Sequence, residues 1–220
     1  MRISKVERIA CLIIGYVFGL FQTAFIYGKL HGIDIREHGS GNAGTTNTLR
    51  VLGTKAGLIV LAGDIIKCIL AIVLCGMLFG SSNPNEIYLL KLYAAAGAIL
   101  GHNFPFYLHF KGGKGIAATA GLILAFHPYF IVVGVILFFG AFLITHYVSL
   151  GSLLVYVGLM IQMVVCGQMG LFSTSQAILN EMYVITALLT ILAYYKHREN
   201  IARLLKGEER KTYLTKKNKQ

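Results

Sequence analysis

Residues 39–50 have the composition of an anion-binding loop. Glycines at positions 39, 41 and 44 let the backbone turn tightly and expose its amide groups. Arg50 adds a planar cation that suits phosphate or carboxylate oxygens. Four side chains of the stretch can also hydrogen-bond an anion: Ser40, Asn42, Thr46 and Asn47. The stretch predicts a cradle for an oxyanion or a phosphate, with Gly41 in its backbone wall.

A second stretch, residues 101–115, is rich in glycine and lysine. Lys111 and Lys114 bracket Gly112 and Gly113 just before a predicted helix. Ammonium groups, backbone amides and the positive end of the helix dipole would then surround one anion. His102 begins the same stretch. The alternative is a glycine-rich turn whose lysines only mark the side of a membrane.

A third polar stretch follows the last apolar segment. His197 and Asn200 are three residues apart and share a helix face, and Glu208 follows a few residues later. Ser149 lies in a short turn elsewhere in the chain. Taken alone, the third stretch is typical of a solvated basic helix.

Two nucleotide-binding patterns are excluded. Residues 39–44 match the letters of the dinucleotide fingerprint, but that fingerprint follows a strand, and here an apolar segment precedes it. The Walker A pattern fails around Lys114, because Leu108 occupies its first glycine position and Gly115 follows the lysine.

The composition places these loops in a membrane protein. The chain has 220 residues, of which 56% are hydrophobic and 13% are charged, against about 45–50% and about 25% in soluble domains. The cysteines lie in apolar runs without C-x-x-C spacing, and the acids outside the tail form no cluster. We therefore expect no metal and no cofactor. The net charge of +11 is concentrated in the C-terminal tail, where we favour a topology signal over nucleic-acid binding.

Seven apolar segments predict an all-α, polytopic membrane helix bundle, because backbone groups in lipid must be paired within helices. Pro128 divides what could otherwise be one long helix over 116–146 into a short helix and a full one. The predicted segments are 8–28, 57–80, 87–101, 116–126, 128–146, 150–170 and 182–196.

The distribution of basic residues predicts the orientation. Lysine and arginine lie in loops 29–55 and 102–115 and in the tail after 196, while connections 80–86 and 170–181 have none. The positive-inside rule places the three basic regions, with the turn at 146–149, in the cytoplasm. The N-terminus is then outside and the C-terminus inside, although Arg2, Lys5 and Arg8 argue against that orientation.

The apolar segments contain two further signals. Gly15 with Gly19, and Gly97 with Gly101, have the small-xxx-small spacing that lets helices approach closely. Asp64 and Lys67 lie three apart inside the second segment, where a lone charge is expensive. We expect them to form a structural ion pair, with direct contact to a substrate as the alternative.

Together the three polar stretches resemble the three motifs of the PlsY family, the acyl-phosphate:glycerol-3-phosphate acyltransferases of bacterial membranes. Residues 40–50 resemble the first motif, residues 101–115 the second, and residues 197–208 the third. The resemblance covers nearly the whole chain. Ala43 departs from it, since many members have proline there.

The resemblance implies that the chain transfers a fatty acyl group from acyl phosphate to the 1-hydroxyl of glycerol 3-phosphate, an early step of phospholipid synthesis. Two phosphate-bearing substrates would account for two cradles. We predict catalytic roles for Ser40, Arg50, Lys111, Ser149, His197 and Asn200. We predict substrate binding by Gly41, Asn42, Thr46, Asn47, His102, Gly112, Gly113, Lys114 and Glu208.

We expect direct attack by the glycerol hydroxyl, because acyl phosphate is already activated and the chain has no G-x-S-x-G elbow. His197, His102 and a substrate phosphate are the open candidates for the general base. A carrier for a phosphorylated metabolite is the competing hypothesis, although carriers bind at the membrane midplane.

We expect a multi-pass protein of the bacterial inner membrane whose active site faces the cytoplasm, with membrane lipid around it and no obligate protein partner. Residues 1–208 would form one acyltransferase domain and residues 209–220 a basic tail.

Overall fold

The computed structural model describes residues 5–213, and these form a bundle of α-helices joined by short loops. Arg2 and the last three lysines of the tail lie outside the described residues. The helices are α1 (Lys5–Gly19), α2 (Thr23–Leu30), α3 (Thr45–Leu52), α4 (Thr54–Phe79), α5 (Ile87–Asn103), α6 (Ile116–Phe126), α7 (Pro128–Thr145), α8 (Val148–Gln168), α9 (Gln176–Lys196) and α10 (Arg198–Leu205).

The first apolar segment is broken into α1 and α2, whereas the sequence predicted one continuous helix. Three residues, Leu20 to Gln22, separate the two parts. The buried Gln22 amide donates to the carbonyls of Gly19 (3.1 Å), Gly101 (3.2 Å) and His102 (3.1 Å). Backbone acceptors freed at the break and at the end of α5 are therefore satisfied inside the protein, as burial in a membrane requires.

The glycine pairs of α1 and α5 pack against each other, and the close approach that their spacing predicted is present. A side chain on Gly97 would collide with the α1 backbone at Leu12 and Tyr16, and one on Gly15 would collide with α5 at Ala94. The two helices are in backbone contact along this seam. Since α5 leads directly into residues 101–115, the seam fixes where the second polar stretch lies.

The predicted turn at Pro128 is confirmed. His127 follows the last residue of α6 in an extended conformation, and its side chain accepts from the Tyr129 amide at the start of α7. The 11 residues of α6 extend for only ~16 Å, about half of a ~30 Å hydrocarbon core. Five stretches of the described chain are long and apolar enough to cross a membrane: Lys5–Leu30, Thr54–Phe79, Pro128–Thr145, Val148–Gln168 and Gln176–Lys196.

The expected ion pair inside α4 is present. Lys67 Nζ lies 2.8 Å from Asp64 Oδ1, and both side chains are almost fully buried. Thr23 at the start of α2 also donates to Asp64 Oδ1, at 3.1 Å. The pair thus ties α4 to the second half of the broken first segment.

Substituting Gly97→Ala should destabilise the fold. The added methyl group would meet backbone atoms of α1, which cannot rotate away as a side chain can. Forced overpacking costs about 1–3 kcal/mol, and thermal unfolding of the detergent-solubilised protein should report a lower midpoint. Gly140→Ala is the matched control, because nothing lies within 4 Å of a methyl group there. Equal midpoints for the two variants would contradict the packing role of Gly97.

Candidate active site

The three polar stretches converge on one cavity of about 410 Å³, together with the turn before α8. Residues 39–50 form one wall, and His102, Gly112 and Lys114 form another. Ser149 and residues 196–200 complete it. Segments distant in sequence therefore meet at the same end of the bundle; Arg50 and Arg210, for example, are 160 residues apart.

Four helices begin at this cavity: α3, α6, α8 and α10. Within residues 5–213, no side chain caps any of the four helix N-termini. The first amides of an uncapped helix are free to bind an anion, and the helix dipole adds positive potential there. The cavity is therefore built to receive negatively charged oxygens.

The first loop is held in shape by Asn47, at the start of α3. Its Oδ1 accepts from the Ser40 amide at 2.8 Å, and its Nδ2 donates to the carbonyls of Ile35 (3.0 Å) and His38 (2.9 Å). Gly41 has φ +72, in the left-handed region that favours glycine. Asn47 lines the cavity, but its amide is engaged in holding the loop.

Glu209 links the third stretch to the turn before α8. Its Oε1 accepts from Asn200 Nδ2 (2.7 Å) and Ser149 Oγ (3.1 Å), and its Oε2 accepts from Arg203 Nε (2.8 Å). The Glu209 side chain is only 4% exposed. The sequence instead suggested Glu208, which the structure places in solvent, outside the residues that line the cavity.

Lys114 and His197 both line the cavity, and burial lowers the pKa of each side chain. Lys114 donates to Asn200 Oδ1. Burial, with the nearby charge of Arg203, lowers the pKa of Lys114 to about 8. Burial also lowers the pKa of His197 to about 4, so this ring is neutral at pH 7.

Arg50 is oriented by the segment that follows α10. Its Nη2 donates to Thr212 Oγ1 at 2.6 Å and to the Arg210 carbonyl at 3.1 Å. Thr212 is buried, and its own amide donates to the His146 carbonyl at 2.9 Å. The segment therefore lies along the cavity rather than extending away as a tail.

Most of the sequence-predicted site residues are brought together. Besides Glu208, two of them, Lys111 and Gly113, do not line the cavity. Lys111 is exposed, because the chain turns through left-handed conformations at His109 and Phe110 just before it. Gly113 is buried between His102 and Ala43, where a side chain would collide with both. The cavity-lining residues are Ser40, Gly41, Asn42, Thr46, Asn47, Arg50, His102, Gly112, Lys114, Ser149, His197 and Asn200.

Sequence reasoning missed several residues of the site, among them Arg203, Glu209 and Thr212. Arg203 lies within the third polar stretch, but the sequence assigned it no role. Its spacing from Asn200 on α10 was the available signal for a shared face. Glu209 and Thr212 follow the helix in an irregular segment, where spacing predicts no direction.

Comparison with known proteins matches residues 9–207 to the glycerol-3-phosphate acyltransferase family. A glycerol-3-phosphate acyltransferase 2 of Bacillus cereus is 39% identical over 209 residues, covering 94% of this chain and 96% of the relative. Glycerol-3-phosphate acyltransferase of Bacillus subtilis (strain 168) is 39% identical over 204 residues, covering 91% and 95%.

Two solved structures are also similar. The crystal structure of PlsY, an integral membrane glycerol 3-phosphate acyltransferase, in its glycerol 3-phosphate form superimposes with a TM-score of 0.79 at 29% identity. Its lysophosphatidic acid form gives 0.77 at 28% identity. Each comparison covers 94% of this chain and 96% of the other.

Anion binding to the empty cavity should weaken above about pH 8. The charge on Lys114 is lost as the pH rises through its lowered pKa, and each further pH unit should cost up to about tenfold in affinity. Sulfate is the suitable probe, because its charge is constant in this range, and calorimetric titration gives its affinity. Lys114→Arg should remove the alkaline loss, since arginine stays charged. A loss that persists in Lys114→Arg would show that another group titrates.

Substituting Glu209→Gln should destabilise the protein by about 1–3 kcal/mol, because hydrogen bonds to a charged group are replaced by weaker ones. Unfolding by heat in detergent measures the change. Glu208→Gln is the control, since that neighbouring side chain is exposed and its change should be within about 0.5 kcal/mol. Similar losses in the two variants would contradict the placement of Glu209 at the centre of these contacts.

Proposed function

The chain belongs to the glycerol-3-phosphate acyltransferase family and transfers an acyl group to glycerol 3-phosphate, and from this premise we propose that its acyl donor is an acyl phosphate. Membership of an acyltransferase family removes the support for the carrier hypothesis. The identity of the donor, the course of the reaction and the roles of individual residues are inferred from the cavity.

The charge of the cavity is the observation that carries the proposal. Arg50 with the α3 N-terminus forms one cationic wall, and Lys114 with the α6 N-terminus forms a second. Each wall suits one phosphate group. Glycerol 3-phosphate brings one phosphate, and an acyl phosphate brings the other directly on the reacting carbonyl. The wall that binds the acyl phosphate then lies next to the bond that breaks, and the other wall holds the acceptor by its phosphate.

The proposed reaction is a single displacement. The glycerol 1-hydroxyl oxygen attacks the acyl carbonyl carbon, the bond from that carbon to the phosphate oxygen breaks, and the hydroxyl proton leaves with inorganic phosphate. The donor is already activated, so no acyl-enzyme is needed. None of the residues that line the cavity is a cysteine, and the ones that line it suit positioning and charge stabilisation.

The proton is taken by a substrate phosphate rather than by His197. A pKa of about 4 makes the His197 ring a weak base at pH 7, whereas a phosphate ester has a second pKa near ~6. His197 Nδ1 lies 2.8 Å from the Ala193 carbonyl and donates to it, so Nε2 keeps its lone pair. His197 is therefore placed to accept a hydrogen bond from the attacking hydroxyl and to orient it.

The remaining roles follow from position. Asn200 gives one Nδ2 hydrogen to Glu209 and donates the other to the glycerol phosphate, and Lys114 supplies charge. Ser149 gives its hydroxyl hydrogen to Glu209 and so helps to position that carboxylate. Ser40, Asn42 and Thr46 donate to the other phosphate beside Arg50, from a loop held by Asn47. Lys111 attracts the anionic substrates from outside the cavity. Glu208, an exposed carboxylate with the same sign of charge as the substrates, has no binding role in this proposal.

We place the protein in the bacterial cytoplasmic membrane with its cavity facing the cytoplasm, its N-terminus outside and seven membrane segments, of which α6 is short. The basic loops 29–55 and 102–115 support this orientation. The acyltransferase domain extends to Thr212, past the boundary at residue 208 that the sequence suggested, because Glu209 and Thr212 pack at the cavity.

Measuring phosphate release tests whether the acyl donor is an acyl phosphate. Purified protein in detergent receives palmitoyl phosphate with and without glycerol 3-phosphate, and palmitoyl-CoA replaces the acyl phosphate in a parallel reaction. We expect phosphate release that requires glycerol 3-phosphate and gives an equal amount of 1-acyl-glycerol 3-phosphate. The thioester should give no product.

Arg50→Gln in the same assay should lower kcat/KM by about 10²-fold or more, as the loss of one charge-stabilising donor does. Acyl transfer from palmitoyl-CoA, with palmitoyl phosphate inert, would overturn the proposed donor while leaving the acyltransferase activity intact.

A further inference from the structure

A buried polar cluster lies directly behind the cavity, where α4, α5 and the break between α1 and α2 meet. Lys67 Nζ lies 2.8 Å from Asp64 Oδ1, 2.7 Å from the Phe21 carbonyl oxygen and 2.9 Å from His102 Nδ1. The Lys67 side chain is 4% exposed and the His102 side chain 3%. Lys67 therefore makes two contacts, to Phe21 and to His102, beyond the ion pair that the sequence predicted.

The three N–H donors of Lys67 determine where the hydrogens of this cluster lie. A lysine ammonium group has three N–H donors and no acceptor. The Asp64 carboxylate and the Phe21 carbonyl can only accept, so they take two of the three hydrogens. The third is directed at His102 Nδ1, which must therefore carry a lone pair. Asp64 Oδ1 is 3.6 Å from Nδ1, too far to take a proton from it in a hydrogen bond.

The other ring nitrogen of His102 therefore carries the hydrogen. Nε2 lies against Gly113, so close that any side chain there would collide with it. The Gly113 amide donates to the His102 carbonyl at 3.1 Å, which holds the loop over the ring. His102 itself lines the cavity. Its Nε2–H edge is thus presented at the cavity wall as a donor.

We propose that Lys67 is a positioning residue that fixes His102 as a hydrogen-bond donor to an anionic substrate oxygen. The inference rests on the acyl transfer described above. In this state Nδ1 is occupied by Lys67 and Nε2 already holds its proton, so His102 takes no proton from the glycerol hydroxyl. The two histidines of the cavity then have opposite tautomers, since His197 is protonated on Nδ1.

The tautomers can be observed without turnover. Two-bond ¹⁵N–¹H correlation spectra of substrate-free protein labelled with ¹⁵N-histidine distinguish a ring protonated on Nε2 from one protonated on Nδ1 or on both. Spectra of His102→Gln and His197→Gln assign the two rings. At pH 7 we expect the Nε2–H form for His102 and the Nδ1–H form for His197. A His102 ring that is charged or protonated on Nδ1 would overturn the proposal.

The positioning role of Lys67 is tested by removing the charges of both Lys67 and Asp64, because Lys67→Met alone would leave the Asp64 carboxylate buried without its ion-pair partner. In the double variant Asp64→Asn with Lys67→Met, the His102 signals should change to a mixture of tautomers. The His197 signals should stay as they were, which separates a local effect from misfolding. His102 signals that remain purely Nε2–H would show that Lys67 does not set the tautomer.

The activity of two His102 variants distinguishes a hydrogen-bond donor from a general base. The side-chain amide of glutamine places an N–H group near the position of Nε2–H, whereas asparagine is too short to do so. We expect His102→Gln to keep kcat/KM within about tenfold and His102→Asn to lose about 10²-fold. A general base would instead be lost in both variants, by about 10²–10⁴-fold. Inactive wild-type protein with the expected tautomers would count against the proposed donor substrate and not against this assignment.

Discussion

The convergence of four uncapped helix N-termini on one cavity is the constraint on which the rest of the structure depends. Free amides and helix dipoles make the cavity positive before any side chain is added. Lys114, Arg50 and Arg203 add formal charge to it. These positive groups repel one another, and the lowered pKa of Lys114 reflects its burial and the repulsion from Arg203. Glu209 is the counter-charge that offsets part of this repulsion, and it joins α10 to α8 through Arg203, Asn200 and Ser149.

The apolar frame is connected to the site through the break in the first helix. Backbone contact between the glycines of α1 and α5 brings the end of α5, and therefore His102, next to residues 20–22. The break releases the Phe21 carbonyl, which Lys67 binds. The same ammonium group pairs with Asp64 and with His102. A buried cation thus satisfies a backbone carbonyl, a carboxylate and a ring nitrogen at once, which is why its burial is tolerated.

The sequence was sufficient for the position of the apolar segments, the turn at Pro128 and the three polar stretches of the site, because apolar runs and long motifs encode them. It was insufficient wherever irregular backbone sets the direction of a side chain. Glu208 and Glu209 are adjacent and identical, and only the path of the chain after Gly207, with φ +70, decides which one turns inward. The same holds for Lys111 and Lys114, whose directions follow from the left-handed residues on either side. The break at residues 20–22 contains no proline that would predict it, and tertiary hydrogen bonds from Gln22, Lys67 and Tyr107 stabilise it.

The same electrostatics bear on why the two substrates can occupy one small cavity. Two phosphate dianions ~7 Å apart repel each other by ~9 kcal/mol at an effective dielectric constant of ~20. A single cation could not offset this repulsion, whereas the cationic side chains that line the cavity on several walls can: Arg50, Lys114, Lys196, Arg198, Arg203 and Arg210. The first phosphate to bind should restore the ordinary pKa of Lys114 and so prepare the site for the second. In the proposed reaction, acyl transfer then frees one dianion as inorganic phosphate, and its departure relieves the repulsion. The product retains a single phosphate and an acyl chain that the membrane can accept.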